Sequence, residues 1–394
     1  MTRPQTARPD QANPDLPSLT GLRFITMLPV FLAHASFETW FDNDEVNGIF
    51  LYGMGTFAAV MVSFFFVLTG FVMTWSRRPK DTPRRFWRRR LVRVVPSHLV
   101  TYLIAVALML WAGATLNPTA VFTQVFLLQA WVPDPAYFDT GNSVTWSLSA
   151  DMAFYALFPA LVLVVERIRE DRLWLWMVPP VVVIMALPAV GLTLLPETPE
   201  MPLGGVSVSQ YWLVFFNPLA RLLECLLGML LARVILSGRW VGIKPWLPAV
   251  ALFAVYLAGQ PLPFLYQLNA LTLVPVLLLV GAVAQADLTG RRTYLSGRRM
   301  VYLGELSFGF YLMHNLVLKY GHLAFGTTMV DGEPETVNFS TPVGILMVLL
   351  FFLASMLAAW LLHTLVEKPI VRAWSKPRSL RKSTPVAQPA PAQP

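Results

Sequence analysis

Apolar residues in this sequence fall in blocks of about 20, the length a helix needs to cross a hydrocarbon core roughly 30 Å thick. Few soluble folds accept such blocks, because a helix that is apolar all round has to be buried in protein or in lipid. Composition agrees: 56% of the 394 residues are hydrophobic, 13% are charged, and the mean hydropathy is +0.57. The spans read near residues 19–40, 53–75, 97–114, 147–165, 174–195, 211–236, 247–259, 268–286, 303–323 and 342–366. The expected fold class is an all-α polytopic membrane protein with about ten transmembrane helices.

Charge bias sets the orientation. With both termini cytoplasmic, all but two of the 30 Lys and Arg residues fall on one side, and the exceptions, Arg221 and Lys319, lie inside spans. The opposite loops are acidic, carrying Asp42, Asp44 and Glu45, then Asp134 and Asp139, Glu197 and Glu200, and Asp331, Glu333 and Glu335. Cytoplasmic loops of membrane proteins collect Lys and Arg, so the number of crossings is even. The net charge of +8 then reflects topology and does not point to nucleic acid as a partner. The first span keeps Arg23 and His34 and leads to Glu38 and Phe41 with no small-residue cleavage site, so it reads as structural and not as a signal peptide. The expected organisation is a disordered tail at 1–17, a membrane domain at 18–370 in the plasma membrane, and a basic, proline-rich disordered tail at 371–394. A single cysteine, Cys225, excludes a disulfide framework, and the histidines lack ligand spacing for a metal.

Arg23 and His34 stand eleven residues apart, which at about 1.5 Å and about 100° per residue puts them roughly 16 Å apart on one helix face. Ionisable groups within a membrane tend to line a bundle interior or a wet path. The plainer reading makes Arg23 an interfacial anchor and His34 a hydrogen-bonded core residue, and the alignment of the two weighs against it. The run RRFWRRRLVRVVP, read as a loop, is a topology anchor or an electropositive mouth for a polyphosphate-bearing donor. Asp151 lies about one turn into its span, at a depth comparable with His34; it either orients the histidine ring, as a general base requires, or caps its helix beside Ser147 and Ser149. Thr69 and Gly70 suit close helix packing. Arg221 and Glu224 read as an intramembrane ion pair first and as substrate contacts second. His314, in the ninth span, reads as either a core histidine or a site residue, and His98, His322 and His363 receive no role.

Taken in order, several of these stretches resemble the acyltransferase 3 family of integral membrane O-acyltransferases. They are the Arg23 to His34 spacing, LTGF at 68–71, FWRRRLVRVVP at 86–96, WSLSADMAFY at 146–155 with Trp146 and Ser147 beside Asp151, NPLARLLECLLGM at 217–229, GELSFGFYLMH at 304–314 and VEKP at 366–369. The resemblance implies transfer of an acyl group from acyl-coenzyme A, such as acetyl- or propionyl-coenzyme A, to a hydroxyl-bearing acceptor: a sugar, a glycolipid or other glycoconjugate, or a macrolide-type natural product. It implies donor binding at Arg23, Arg90 and Arg93 and a catalytic role for His34, as general base or through an acyl-histidine. The chain departs from the family pattern with Asp at 151 in place of the usual Glu and Thr at 69 in place of a frequent Ser. It ends soon after the tenth span, so transfer is expected to finish within the membrane domain. The rival reading is a transporter or flippase for a lipid-linked or amphipathic substrate.

Overall fold

A computed structural model describes residues 13–374 apart from 79, 80, 139, 203, 292, 331 and 332. Most of residues 1–17 and 371–394, expected as disordered tails, lie outside the described residues. Asn13 and Pro14 do not: the Asn13 amide donates to the Trp75 carbonyl at 2.7 Å, and the Trp75 indole donates to the Pro14 carbonyl at 3.0 Å.

The long helices are α1 (Pro17–Ser36), α2 (Asp44–Trp75), α3 (Pro83–Trp111), α4 (Trp146–Arg167), α5 (Leu173–Leu194), α6 (Pro218–Leu236), α7 (Trp246–Gly259), α8 (Leu273–Leu288), α9 (Arg298–Leu323) and α10 (Thr341–Leu362). Each corresponds to one expected span. Seven helical stretches, those that contain α1 to α5, α8 and α10, are long and apolar enough to cross a membrane. The protein is an all-α polytopic membrane protein. Its departure from pure helix is a small antiparallel ribbon, in which β1 (Thr327–Val330) pairs with β2 (Glu333–Thr336). Beside it, main-chain hydrogen bonds from Phe339 to Trp40 and from Asp42 to Phe339 tie the α9–α10 connection to the end of α1.

The run read as a basic loop is helical. Thr82 accepts from the Arg85 N–H at the start of α3 and Pro83 occupies its first position, the side-chain cap and proline start that open a helix. Arginine is a good helix former, so the basic residues occupy the first turns of α3 and join the membrane helix without a break. The expected sixth span is also interrupted: a π-helical segment at Trp212–Phe216 precedes Asn217, which caps α6 through the Leu219 and Ala220 N–H groups.

Small residues set the helix spacing that builds the site. A Cβ at Gly70 of α2 would overlap the Cys225 carbonyl of α6, and one at Gly228 of α6 would overlap the Val67 carbonyl of α2. Gly304 of α9 meets the Thr20 carbonyl of α1 in the same way. Backbones in this close approach gain dispersion contacts, which replace the hydrophobic drive missing between helices in lipid. At the start of α1, the Ser18 N–H donates to the Asp287 carboxylate of α8 at 2.8 Å. The result is a core in which α1, α2, α6 and α9 fix one another.

Candidate active site

Between α1, α2, α3, α4 and α9 lies a cavity of about 180 Å³. Arg23, Met27 and Val30 line it from α1, Thr69 and Phe66 from α2, Arg90 and Arg93 from α3, Ser147, Asp151 and Tyr155 from α4, and Ser307 and Tyr311 from α9. The α1 set repeats at four and three residues and the α4 set at four and four, which keeps each on one helix face. Arg23 and the residues leading towards His34 therefore share a face, as their spacing requires.

Three arginines converge on this cavity. The Arg90 guanidinium lies 5.7 Å from the Phe86 ring centroid and 5.9 Å from that of Tyr155, and it donates to the Ser76 hydroxyl at 3.2 Å. Arg93 Nε is 3.5 Å from Glu367 Oε1. Around them the basic surface is partly neutralised by ion pairs from Arg77 to Glu166 and from Arg89 to Asp81. The Arg89 side chain hydrogen-bonds Asp81 and holds its carboxyl below the usual range.

Asp151 does not orient His34. Its carboxylate has Thr69, Arg90 and Arg23 as its electrostatic neighbours, while Oδ1 has no hydrogen bond among the described residues. Nor does it cap its helix, since it lies five residues beyond the first residue of α4, Trp146. Ser147 lines the cavity, with its hydroxyl 3.0 Å from that of Tyr311, which donates to the Val144 carbonyl. Trp146 stands behind the wall, its ring 4.8 Å from Phe215 and 6.1 Å from Phe66.

His34 lies one turn beyond Val30. Its Nδ1 is 2.8 Å from the Val30 carbonyl, and because a carbonyl only accepts, the proton sits on Nδ1 and the Nε2 lone pair of the neutral ring is left free. His314, fully buried on α9, donates from Nδ1 to the Phe310 carbonyl at 3.0 Å, and its Nε2 stands 3.4 Å from His34 Nδ1. The two rings meet edge to face with centroids 4.9 Å apart. The His34 ring is thus oriented by the Val30 carbonyl together with His314, and not by Asp151.

Arg221 and Glu224 form a fully buried ion pair at 2.9 Å, separated from the cavity by Phe66. Arg221 also donates to the Phe215 carbonyl at 2.7 Å, and Ser63 and Asn269 donate to Glu224 at 3.0 and 2.9 Å. Tyr155, Tyr311 and Glu367 join the site without having been singled out from the sequence; VEKP carried Glu367 as a motif, but no signal placed it opposite Arg93. Among the described residues no group of three or more His, Cys, Asp and Glu side chains could hold a metal ion.

The model of the acyltransferase domain, acyltransferase 3, matches residues 16–364. The chain belongs to the acyltransferase 3 family. Acyltransferase MdmB of Streptomyces mycarofaciens is 35% identical over 368 residues, covering 92% of this chain and 93% of that protein. The putative peptidoglycan O-acetyltransferase YrhL of Bacillus subtilis is 27% identical and peptidoglycan O-acetyltransferase OatA of Listeria monocytogenes 24% identical, over 77% and 76% of this chain. This chain spans about half the length of those two, 48% and 49%. No solved structure matches it. As an acyltransferase 3 member it is a membrane O-acyltransferase, which decides against the transporter reading.

Proposed function

We propose that this enzyme moves an acetyl or other short acyl group from acyl-coenzyme A to a hydroxyl of a sugar, glycoconjugate or macrolide-type natural product, with His34 as general base. The observation that carries the reading is the polarity of one cavity: Arg23, Arg90 and Arg93 line it, and His34, with a free Nε2, lies one turn past Val30 on the same helix. Coenzyme A is a polyanionic nucleotide on a long arm that ends in a thioester. Sites that enclose a drug-sized ligand have volumes of about 300–1,000 Å³. A cavity of about 180 Å³ suits the arm and acyl group, with the nucleotide phosphates held at the arginines, whose forks match phosphate oxygens.

In the reaction, His34 Nε2 takes the proton of the acceptor hydroxyl as its oxygen attacks the thioester carbonyl. The tetrahedral carbon then expels the thiolate, the carbon–sulfur bond breaks, and the imidazolium returns its proton to sulfur, giving the ester and free coenzyme A. The Val30 carbonyl fixes the tautomer. Asp151, facing Arg23 and Arg90, orients the donor end of the site. With basic residues on the cytoplasmic side, both termini are cytoplasmic and the donor enters from the cytoplasm of a cell whose plasma membrane holds the enzyme. The peptidoglycan acetyltransferases among its relatives support a sugar hydroxyl as one acceptor class.

The test is to incubate purified enzyme with acetyl-coenzyme A carrying a labelled acetyl group and a panel of sugar, glycolipid and macrolide acceptors. The expected result is a labelled, hydroxylamine-sensitive ester on one acceptor with equimolar thiol release. Thioester left intact with every acceptor would contradict the reading.

A further inference from the structure

We infer that Glu367 is a positioning residue for the donor: it holds Arg93 by Nε so that the terminal fork of that arginine is presented to a donor phosphate. The inference rests on the acyl-coenzyme A reading above and assigns a task to a carboxylate that the chemistry does not itself use.

Three observations meet here. Beyond α10 the helix loosens into a π-helical turn, His363–Glu367, before continuing as Lys368–Trp374. Such turns occur mostly as single insertions, frequently at functional sites. On this turn Glu367 is 5% exposed and both of its oxygens are engaged: Oε2 lies 2.9 Å from His363 Nδ1, and Oε1 lies 3.5 Å from Arg93 Nε. Finally, the following segment is tied to α3, because Arg88 Nε donates to the Trp374 carbonyl at 3.1 Å. Glu367 is therefore fixed from its own helix by His363 and from the opposite helix by the α3 contact. It is a held carboxylate, not a mobile surface group.

Glu367 meets the guanidinium at its Nε edge. A carboxylate that bridged the two terminal nitrogens would occupy the fork used for phosphate. Held through Nε, Arg93 loses rotational freedom, yet among the described residues its two terminal nitrogens carry no hydrogen bond. Arg93 lines the cavity with Arg23 and Arg90, and its side chain is 44% exposed, so its terminal nitrogens are open to an anionic donor entering there. A free arginine side chain loses rotamer freedom when it binds, and ordering it before the donor arrives removes part of that cost from binding.

The experiment compares two donors, acetyl-coenzyme A and acetyl-pantetheine, which has the thioester and arm but no phosphate. In the Glu367→Ala enzyme, kcat/KM for acetyl-coenzyme A should fall about tenfold with kcat retained, while kcat/KM for acetyl-pantetheine stays at the wild-type value. Glu367→Gln keeps an oxygen for Arg93 Nε–H and should recover to within about threefold. Adding Glu367→Ala to Arg93→Ala should cost nothing more, since the positioned group is already gone. A fall of equal size with both donors, an unmoved kcat/KM for acetyl-coenzyme A, or additive effects of the two alanines would overturn the inference while leaving the donor reading intact. Failure of the wild type to release thiol from acetyl-coenzyme A would overturn both.

Discussion

His34 and His314 face one another across the α1–α9 contact, with His314 Nε2 3.4 Å from His34 Nδ1 and each ring hydrogen-bonded to the carbonyl four residues before it. Both rings carry their proton on Nδ1, so His314 presents a lone pair to the only N–H of neutral His34. An imidazolium formed on His34 is stabilised at that nitrogen by two neutral acceptors, whereas in a Ser-His-Asp triad a carboxylate does this.

Replacing His314 by Ala should lower kcat by about tenfold to a hundredfold with the donor KM little changed, whereas loss of a general base at His34 should cost about 10²–10⁴ in kcat. The double variant should be no slower than His34→Ala alone. Steady-state kinetics on the three purified variants check this, and additive losses would separate the two rings functionally.

Asp151 faces Arg23 and Arg90 and not His34, so Asp151→Asn should act mainly on the donor. The expected change is a donor KM raised about tenfold with kcat within about threefold of wild type, the pattern of lost binding that is the same in ground and transition states. A large loss in kcat at unchanged KM would return Asp151 to the histidine.

The α2–α6 contact predicts a steric effect. Gly70→Val adds three carbons where even a Cβ meets the Cys225 carbonyl, and overpacking of this kind costs about 1–3 kcal/mol or more. The variant should lose thermal stability in detergent, whereas Gly48→Ala, at a helical position where a Cβ meets nothing within 4 Å, should melt no lower than wild type.

A pH effect follows from Asp81. Its carboxyl is held below the usual value by the Arg89 hydrogen bond, so the folded state binds its proton less readily than the unfolded chain. The stabilisation is present above the unfolded value of 3.8 and is lost as pH falls through the lower folded value. Thermal melts taken downward from pH 5 should therefore steepen in their loss for the wild type relative to Asp81→Asn, and parallel curves would contradict the coupling.

Periodicity and charge made much of this legible. Each expected span has a helix, the Arg23 and His34 face is real, and the small residues at 69–70 mark a close helix crossing. Neither reading of Asp151, as orienter of His34 or as helix cap, holds, because residue counting gives height along a helix and not the direction a side chain takes around it. The charge of RRFWRRRLVRVVP reports topology and says nothing of its form, which the cap at Thr82 and the helix propensity of arginine decide. His314 meets His34 from 280 residues away, across the same α1–α9 contact in which Gly304 approaches Thr20, and no local pattern reports a pairing at that separation. The π turn that brings Glu367 to Arg93 breaks the 3.6-residue period, so no pattern based on that period could reveal it.

The most direct test of the central claim is a single-turnover measurement of coenzyme A release, comparing wild type and His34→Ala at saturating acetyl-coenzyme A and acceptor, with donor binding measured on the same samples. The account predicts that the variant binds the donor with near wild-type affinity and releases thiol at least about a hundredfold more slowly. Release at the wild-type rate by a variant that binds donor normally would contradict it.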